Sequence, residues 1–317
     1  MYDITALGEL LIDFTPDGEN SEGMPRFATN PGGAPANVLA MSARLGGQCA
    51  FLGKVGRDDF GEMLRHTLEE CDIDCQGLVM SPEYPTTLAF VHLDETGDRS
   101  FSFYRKNCAD TMYYTSELNQ SVIRDTHIFH FGSVSLTDDP VRTTTMTAAE
   151  LARQQGAVIS FDPNYRPFLW SSEKMAIQEI TRALPLADIL KVSEEESVML
   201  TGQDDPAKAA EWFHEQGLSL VFITRGGDGA FFSNGTVQGN VDSFNVRTID
   251  TTGAGDTFFG TLLTQLKDMT LEEMKALTAE QLITITRYAN AAAALTTTKP
   301  GAIPAMPQSQ DIEQLLS

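Results

Sequence analysis

Positive charge is scarce in this 317-residue chain: 22 Lys and Arg stand against 44 Asp and Glu, a formal net charge of −22. Such a field repels a phosphate backbone at long range, which excludes nucleic acid as a partner. A small anion still binds wherever the local site is positive. The excess acid reads as solubility. Cysteine is also sparse, and Cys49, Cys71, Cys75 and Cys108 show no CxxC spacing. They are read as packing residues, with no zinc or redox motif. No stretch reaches the ~20 apolar residues of a membrane span, and the opening MYDITALGELLIDF lacks a basic leader. A cytoplasmic protein without a membrane partner is expected. There is no internal repeat or low-complexity tract, and no G-x-x-x-x-G-K-[ST] loop. Asp59-Phe60-Gly61 has no H-R-D companion, which excludes the protein-kinase element. His127 and His130 are three apart on a strand pattern and face opposite ways, against a shared metal.

What is present is a rhythm. Short apolar runs ending in Gly, Asp or Asn alternate with helical patterns: ITALGELLID, PANVLAMSARLG, AFLGKVG, FGEMLRHTLEEC. It resumes with HIFHFGSVSL, a helix from Arg142 to Gln155, AVISFDPN, a helix after Ser172, DILKVS, a helix from Glu194, and LVFITRGG. This is the βαβα pattern of an α/β fold with a doubly wound, mostly parallel sheet, and residues 1–317 read as a single domain. Segments of about 15–30 and 86–105 break the pattern. They read as short alternating strands, with a hairpin-like turn at Glu95-Thr96-Gly97-Asp98 and no crossover helix. A small antiparallel β lid over the strand ends is expected, with an ordinary surface hairpin as the other reading.

Asp250-Thr251-Thr252-Gly253-Ala254-Gly255-Asp256-Thr257 precedes the helical run FFGTLLTQL. Gly253, Ala254 and Gly255 leave backbone amides uncovered where a helix begins, a cradle for a phosphate. Asp256 falls in the first turn, placed to take a proton from an attacking hydroxyl, although Asp also simply starts helices well. Pro31-Gly32-Gly33-Ala34-Pro35-Ala36-Asn37 opens another helix. Gly32 and Gly33 permit close approach of backbone to a ligand, and Asn37 offers a donor and an acceptor to a polyol. Asp13, read as ending the first strand, can accept two hydroxyl protons or serve as a turn residue. Phe161-Asp162-Pro163-Asn164-Tyr165-Arg166 falls at a strand C-terminus, where Arg166 brings positive charge or makes a surface ion pair. Thr224-Arg225-Gly226-Gly227-Asp228-Gly229 suits a nucleotide phosphate or a hairpin.

Together these segments resemble the ribokinase-like PfkB sugar kinases, from Ile4 to about Pro307. DTTGAGDTFFGTLL and GGAPANVLAMSARLG are similar to that family's two signatures. The resemblance implies Asp256 as catalytic base and Gly253, Ala254 and Gly255 as anion hole. It implies Asp13, Gly32, Gly33, Asn37 and Arg105 as sugar contacts, with Asn164 and Arg166 near the phosphoryl path. Ser193 stands where many relatives have the Asn of an N-x-x-E motif, and Glu196 would organise magnesium and its water. Ser193, Thr224, Gly226 and Gly229 fall to the nucleotide, with Asn290 in the small-residue helix bordering adenine. Asp250 and Thr252, with the loop near Thr298, resemble a monovalent-cation site. ATP, Mg²⁺ and K⁺ are the implied cofactors.

Within the family, HFGSVSL, ISFDPNYRPFLW, KVSEEE and TTTKPGAIPAMP are most similar to fructokinases. The implied reaction is transfer of the ATP γ-phosphate to a primary hydroxyl, fructose O6. A 2-keto-3-deoxygluconate kinase, with Arg105 or Arg166 on the acid, is the first alternative. An aminoimidazole riboside or nucleoside kinase comes next, then a non-catalytic sugar-binding protein. Thr261 and Leu39 replace small residues of the family pattern, and repacking without loss of activity is expected. The lid implies a homodimer.

Overall fold

The structure, a computed structural model, describes residues 1–93 and 99–317. The expected turn at Glu95-Thr96-Gly97-Asp98 lies outside them. The strands are β1 (Tyr2–Leu7), β2 (Leu11–Glu19), β3 (Pro25–Gly32), β4 (Cys49–Gly56), β5 (Ile73–Ser81), β6 (Leu88–Leu93), β7 (Arg99–Tyr104), β8 (Thr126–Gly132), β9 (Val158–Asp162), β10 (Ile189–Ser193), β11 (Leu220–Thr224), β12 (Ala230–Ser233) and β13 (Gln238–Val241). The helices are α1 (Ala34–Arg44), α2 (Asp59–Glu70), α3 (Gln120–Arg124), α4 (Val141–Gln154), α5 (Glu173–Ala183), α6 (Glu194–Thr201), α7 (Pro206–Glu215), α8 (Ala254–Leu266), α9 (Leu271–Lys275), α10 (Ala279–Thr296) and α11 (Ser309–Leu316).

Nine strands build one sheet in the order β13-β12-β11-β10-β9-β8-β1-β4-β5, parallel except where β12 and β13 close one edge antiparallel. The doubly wound arrangement expected from the rhythm is present. Strands such as β4 are buried along their whole length, as a parallel sheet covered on both faces requires. On one face Ile4, Phe51 and Phe222 pack under α1, α2, α8 and α10. On the other, Phe129, Phe131 and Phe161 pack under α3 to α7. Local chemistry sets the helix starts: Thr278 and Gln281 form a capping box at α10, and the Ser172 hydroxyl accepts from Met175 N at α5. Thr261 and Leu39, the two departures from the family pattern, are fully buried in α8 and α1.

The smaller sheet has the order β3-β2-β6-β7 and corrects the sequence reading in two ways. ITALGELLID is not one strand. Gly8 donates its amide to Leu52 O at 3.2 Å, and the chain then leaves the main sheet and resumes at Leu11. Asp13 therefore lies inside β2, opposite Asn30, and does not end a main-sheet strand. Nor is the sheet wholly antiparallel: the hairpins β2–β3 and β6–β7 meet side by side, so β2 and β6 pair in parallel with Asp13 opposite Ala89. No helix among the described residues is long and apolar enough to cross a membrane.

Candidate active site

Helix α8 begins from a left-handed residue, Gly253, at φ 75°. A side chain there would also lie 2.7 Å from the Ala302 Cβ, so glycine is required twice over. The Ala254 amide turns back to the Thr251 carbonyl at 3.2 Å. The amides of Gly255 and Asp256 follow in the first turn, the positive end of the helix dipole, where helix amides lack an intrahelical acceptor. Of the cradle expected from the sequence, Ala254 is thus already occupied.

Two cavities meet at this helix start. The first, about 520 Å³, has Asp13, Gly33, Asn37, Asn164, Arg166 and Asp256 on its walls. The second, about 480 Å³, is lined by Thr224, Gly226, Gly229, Phe244, Ala254 and Asn290. Thr251 and Gly255 belong to both, so the turn that carries these amides is the partition between them. The glycine-rich segment after β11 is both a hairpin and a cavity wall. Asn290 donates its amide to Val241 O (3.0 Å) and Asp242 O (3.2 Å), which ties α10 to the end of β13.

Asp256 is buried, and its Oδ2 accepts from Asn37 Nδ2 at 2.8 Å. Burial pushes its carboxyl above the usual range, against the pull of Asn37, Lys191 and Arg166. Burial likewise pushes Asp13 up to about 6, against Arg166. Asn37 Oδ1 is buried with no hydrogen-bond partner.

Some expected residues lie apart. Arg105 is locked one layer behind the wall: Nε donates to Asp110 at 2.6 Å, Nη1 to Thr137 Oγ1 at 2.7 Å and Nη2 to Val134 O at 3.0 Å. Val134 itself lines the first cavity. The FYR segment is legible in sequence; its capture by Asp110 and Thr137 is not. Gly32 pairs with Leu11 across β2 and β3 and is not on the wall. Ser193 and Glu196 line a recess of about 450 Å³ that shares Asn164, Arg166 and Lys191 with the first cavity, while Ser193 also stands opposite Thr224 of the second cavity's wall, across β10 and β11. Glu196 accepts from Ser193 N at 2.7 Å and Tyr165 N at 2.5 Å, closing a capping box with Ser193. Asp250 accepts from Thr252 N (2.9 Å), Thr252 Oγ1 (2.7 Å) and Gly301 N (3.0 Å), tying the segment before α8 to the turn after α10.

Residues 1–309 match the pfkB family of carbohydrate kinases. The chain belongs to that family. It is 42% identical to "Probable fructokinase-4" of Arabidopsis thaliana, over 99% of this chain and 96% of that one. In structure it resembles the fructokinase with bound ATP from Xylella fastidiosa, with TM-score 0.92 and 32% identity over 100% and 98% of the two chains. A fructokinase double mutant from Vibrio cholerae O395, in a fructose, ADP and potassium ion bound form, matches with TM-score 0.88 and 34% identity over 99% and 98%.

Three residues at or just behind these cavities received no role in the sequence reading of this kinase. Lys191 on β10 pairs with Asp162 at the end of β9, Nζ to Oδ2 2.9 Å, both buried. A methyl added at Gly255 would stand 3.0 Å from that ammonium, so the lysine lies against the helix start. Burial pulls Lys191 down, but Asp162, Glu196 and Asp256 outweigh it and hold the ammonium above its ordinary value. Burial raises Asp162 to about 6 even beside Lys191. A charged residue inside the apolar run DILKVS was the available signal, since buried lysines occur almost only when paired. The third residue is Glu9, between β1 and β2 on the first cavity's wall.

Proposed function

We propose that this pfkB-family kinase is an ATP-dependent fructokinase that transfers the γ-phosphate to fructose O6, with Asp256 as proton acceptor. One observation carries the reading: the α8 start, with its first-turn amides and a buried carboxylate, separates a cavity lined by Asp13, Asn37 and Asn164 from a second cavity and borders both. The sugar occupies the Asp13 and Asn37 side, and ATP the Thr224 and Asn290 side. As the O6–phosphorus bond forms and ADP leaves, the O6 proton passes to Asp256 and the amides of Gly255 and Asp256 receive the phosphoryl charge. Lys191 beneath the turn and Arg166 on the wall add positive charge. With a loose transition state, positioning contributes more than base strength.

Among the described residues no group of three His, Cys, Asp or Glu could hold a metal. Magnesium would arrive on the ATP phosphates, a usual mode for it. Glu196, with both oxygens on amides, would reach it through water, and the ion would spread the phosphate charge. Asp250, Thr252 and the neighbouring turn present oxygen donors suited to a hard monovalent cation. Such a cation would stiffen the segment that leads into α8. Potassium should raise turnover above a sodium or choline background, and equal turnover in all three removes this assignment.

The locked Arg105 favours a neutral sugar over a keto acid, because one of the two arginines available to a carboxylate is already paired. In an ADP-release assay across fructose, glucose, ribose, adenosine and 2-keto-3-deoxygluconate, fructose should give the highest kcat/KM. Preference for the keto acid would overturn the sugar and keep the kinase.

Homodimerisation through the smaller sheet is proposed with this function. It is supported by the part-exposed Phe27 and Tyr104, which pack edge-on against Phe90. Sedimentation at micromolar concentration tests it, and a monomer rejects it. A cytoplasmic site of action is proposed as well, because the reaction consumes ATP; cell fractionation tests it.

A further inference from the structure

The first cavity contains two buried oxygen acceptors without partners. One is Asn37 Oδ1, already assigned to the sugar; the other is Oε2 of Glu9. Glu9 is 4% exposed and lies on the cavity wall. Its Oε1 has a structural task, accepting from Ala34 N at 3.0 Å at the start of α1. Among the described residues Oε2 has no hydrogen-bond partner. A buried acceptor left unpaired is costly, so native structures keep few of them. Both residues line the cavity, so each oxygen lies just beneath its wall, where a small side-chain shift would bring it to a hydroxyl donor.

We infer that Glu9 is a specificity-determining residue whose Oε2 accepts a hydrogen bond from a sugar hydroxyl other than the one phosphorylated. The inference rests on the fructose reading above. Geometry supports it: Glu9 is anchored by the same Ala34 amide that opens α1, three residues before Asn37, so the two orphan acceptors are held in fixed relation. Burial pushes the Glu9 carboxyl up to about 7, against hydrogen bonds from the Glu9 and Ala34 amides and the nearby Arg105 guanidinium, so near neutral pH both protonation states are present and Oε2 acts as acceptor in the ionised one. Arg105 is itself paired with Asp110.

The test is Glu9→Gln, which keeps an oxygen for the Ala34 amide and replaces Oε2 by an NH₂. Steady-state kinetics are measured with fructose and with 1-deoxy-, 3-deoxy- and 4-deoxyfructose, with ATP KM as internal control. Fructose KM should rise ~3–30-fold, the range of one to two hydrogen bonds, while ATP KM stays within about twofold. One deoxy sugar, lacking the partner hydroxyl, should show the same KM in wild type and variant. KM does not depend on the active fraction, so a partly unfolded preparation still reports. An unchanged fructose KM, or the same factor for fructose and every deoxy sugar, overturns the role of Glu9. A wild-type enzyme that does not phosphorylate fructose overturns the substrate reading itself.

Discussion

Asn37 and Asp256 are 219 residues apart, yet their side chains meet at 2.8 Å. The contact is set by backbone packing one turn further along α8. A Cβ at Gly260 would overlap the Val38 carbonyl oxygen, so only glycine lets α1 approach this closely. The helix pair thus carries the proposed base and the amide proposed to face the sugar into one position.

Asp256→Asn keeps the shape at the helix start and removes the proton acceptor. Expected is a kcat lower by about 10²–10⁴-fold with binding of both substrates nearly intact. Calorimetry for binding and ADP release for turnover check this; near-wild-type turnover in a folded, binding variant refutes the base assignment.

Gly260→Ala should force α1 away from α8 at Val38. We expect about 1–3 kcal/mol lower stability from overpacking. Turnover should fall at least ~10-fold, because small displacements of reacting groups are costly, while ATP KM stays unchanged. Unchanged kcat would separate the helix approach from catalysis.

Asp13 supplies a pH prediction. Its folded value, about 6, lies above the ordinary 3.8, so the folded state holds the proton more tightly than the unfolded one. Ionising Asp13 therefore costs stability as pH rises from about 4 to 6, and the cost is complete above 6. The difference corresponds to on the order of 3 kcal/mol. Asp13→Asn should gain stability over wild type across that window, with a constant advantage at pH 7–8, while its fructose KM rises. Parallel Tm curves from pH 4 to 8 contradict this.

Lys191→Met leaves Asp162 buried without its cation. A loss of about 3–5 kcal/mol in stability is expected, together with lower kcat. Adding Asp162→Asn should restore most of the stability but not the turnover, because the charge beneath Gly255 is still missing. Recovery of both in the double variant would make the pair structural only.

The amino-acid sequence by itself determined the alternation of strands and helices, the helix starts and the two glycine motifs. Each depends on residues within a few positions: apolar periodicity, a Ser or Thr cap, a glycine before an acidic first turn. Asp256 and Asn37 were legible for that reason. Only the tertiary structure decided that Asp13 belongs to the smaller sheet, that Arg105 is spent on Asp110 and Thr137, and that Lys191 stands against Gly255 beside Asp162. These relations depend on which strands become neighbours and how deeply the side chains are buried. A charged residue reads the same in sequence whether it faces water, a substrate or a partner from another strand, and burial alone separates the three.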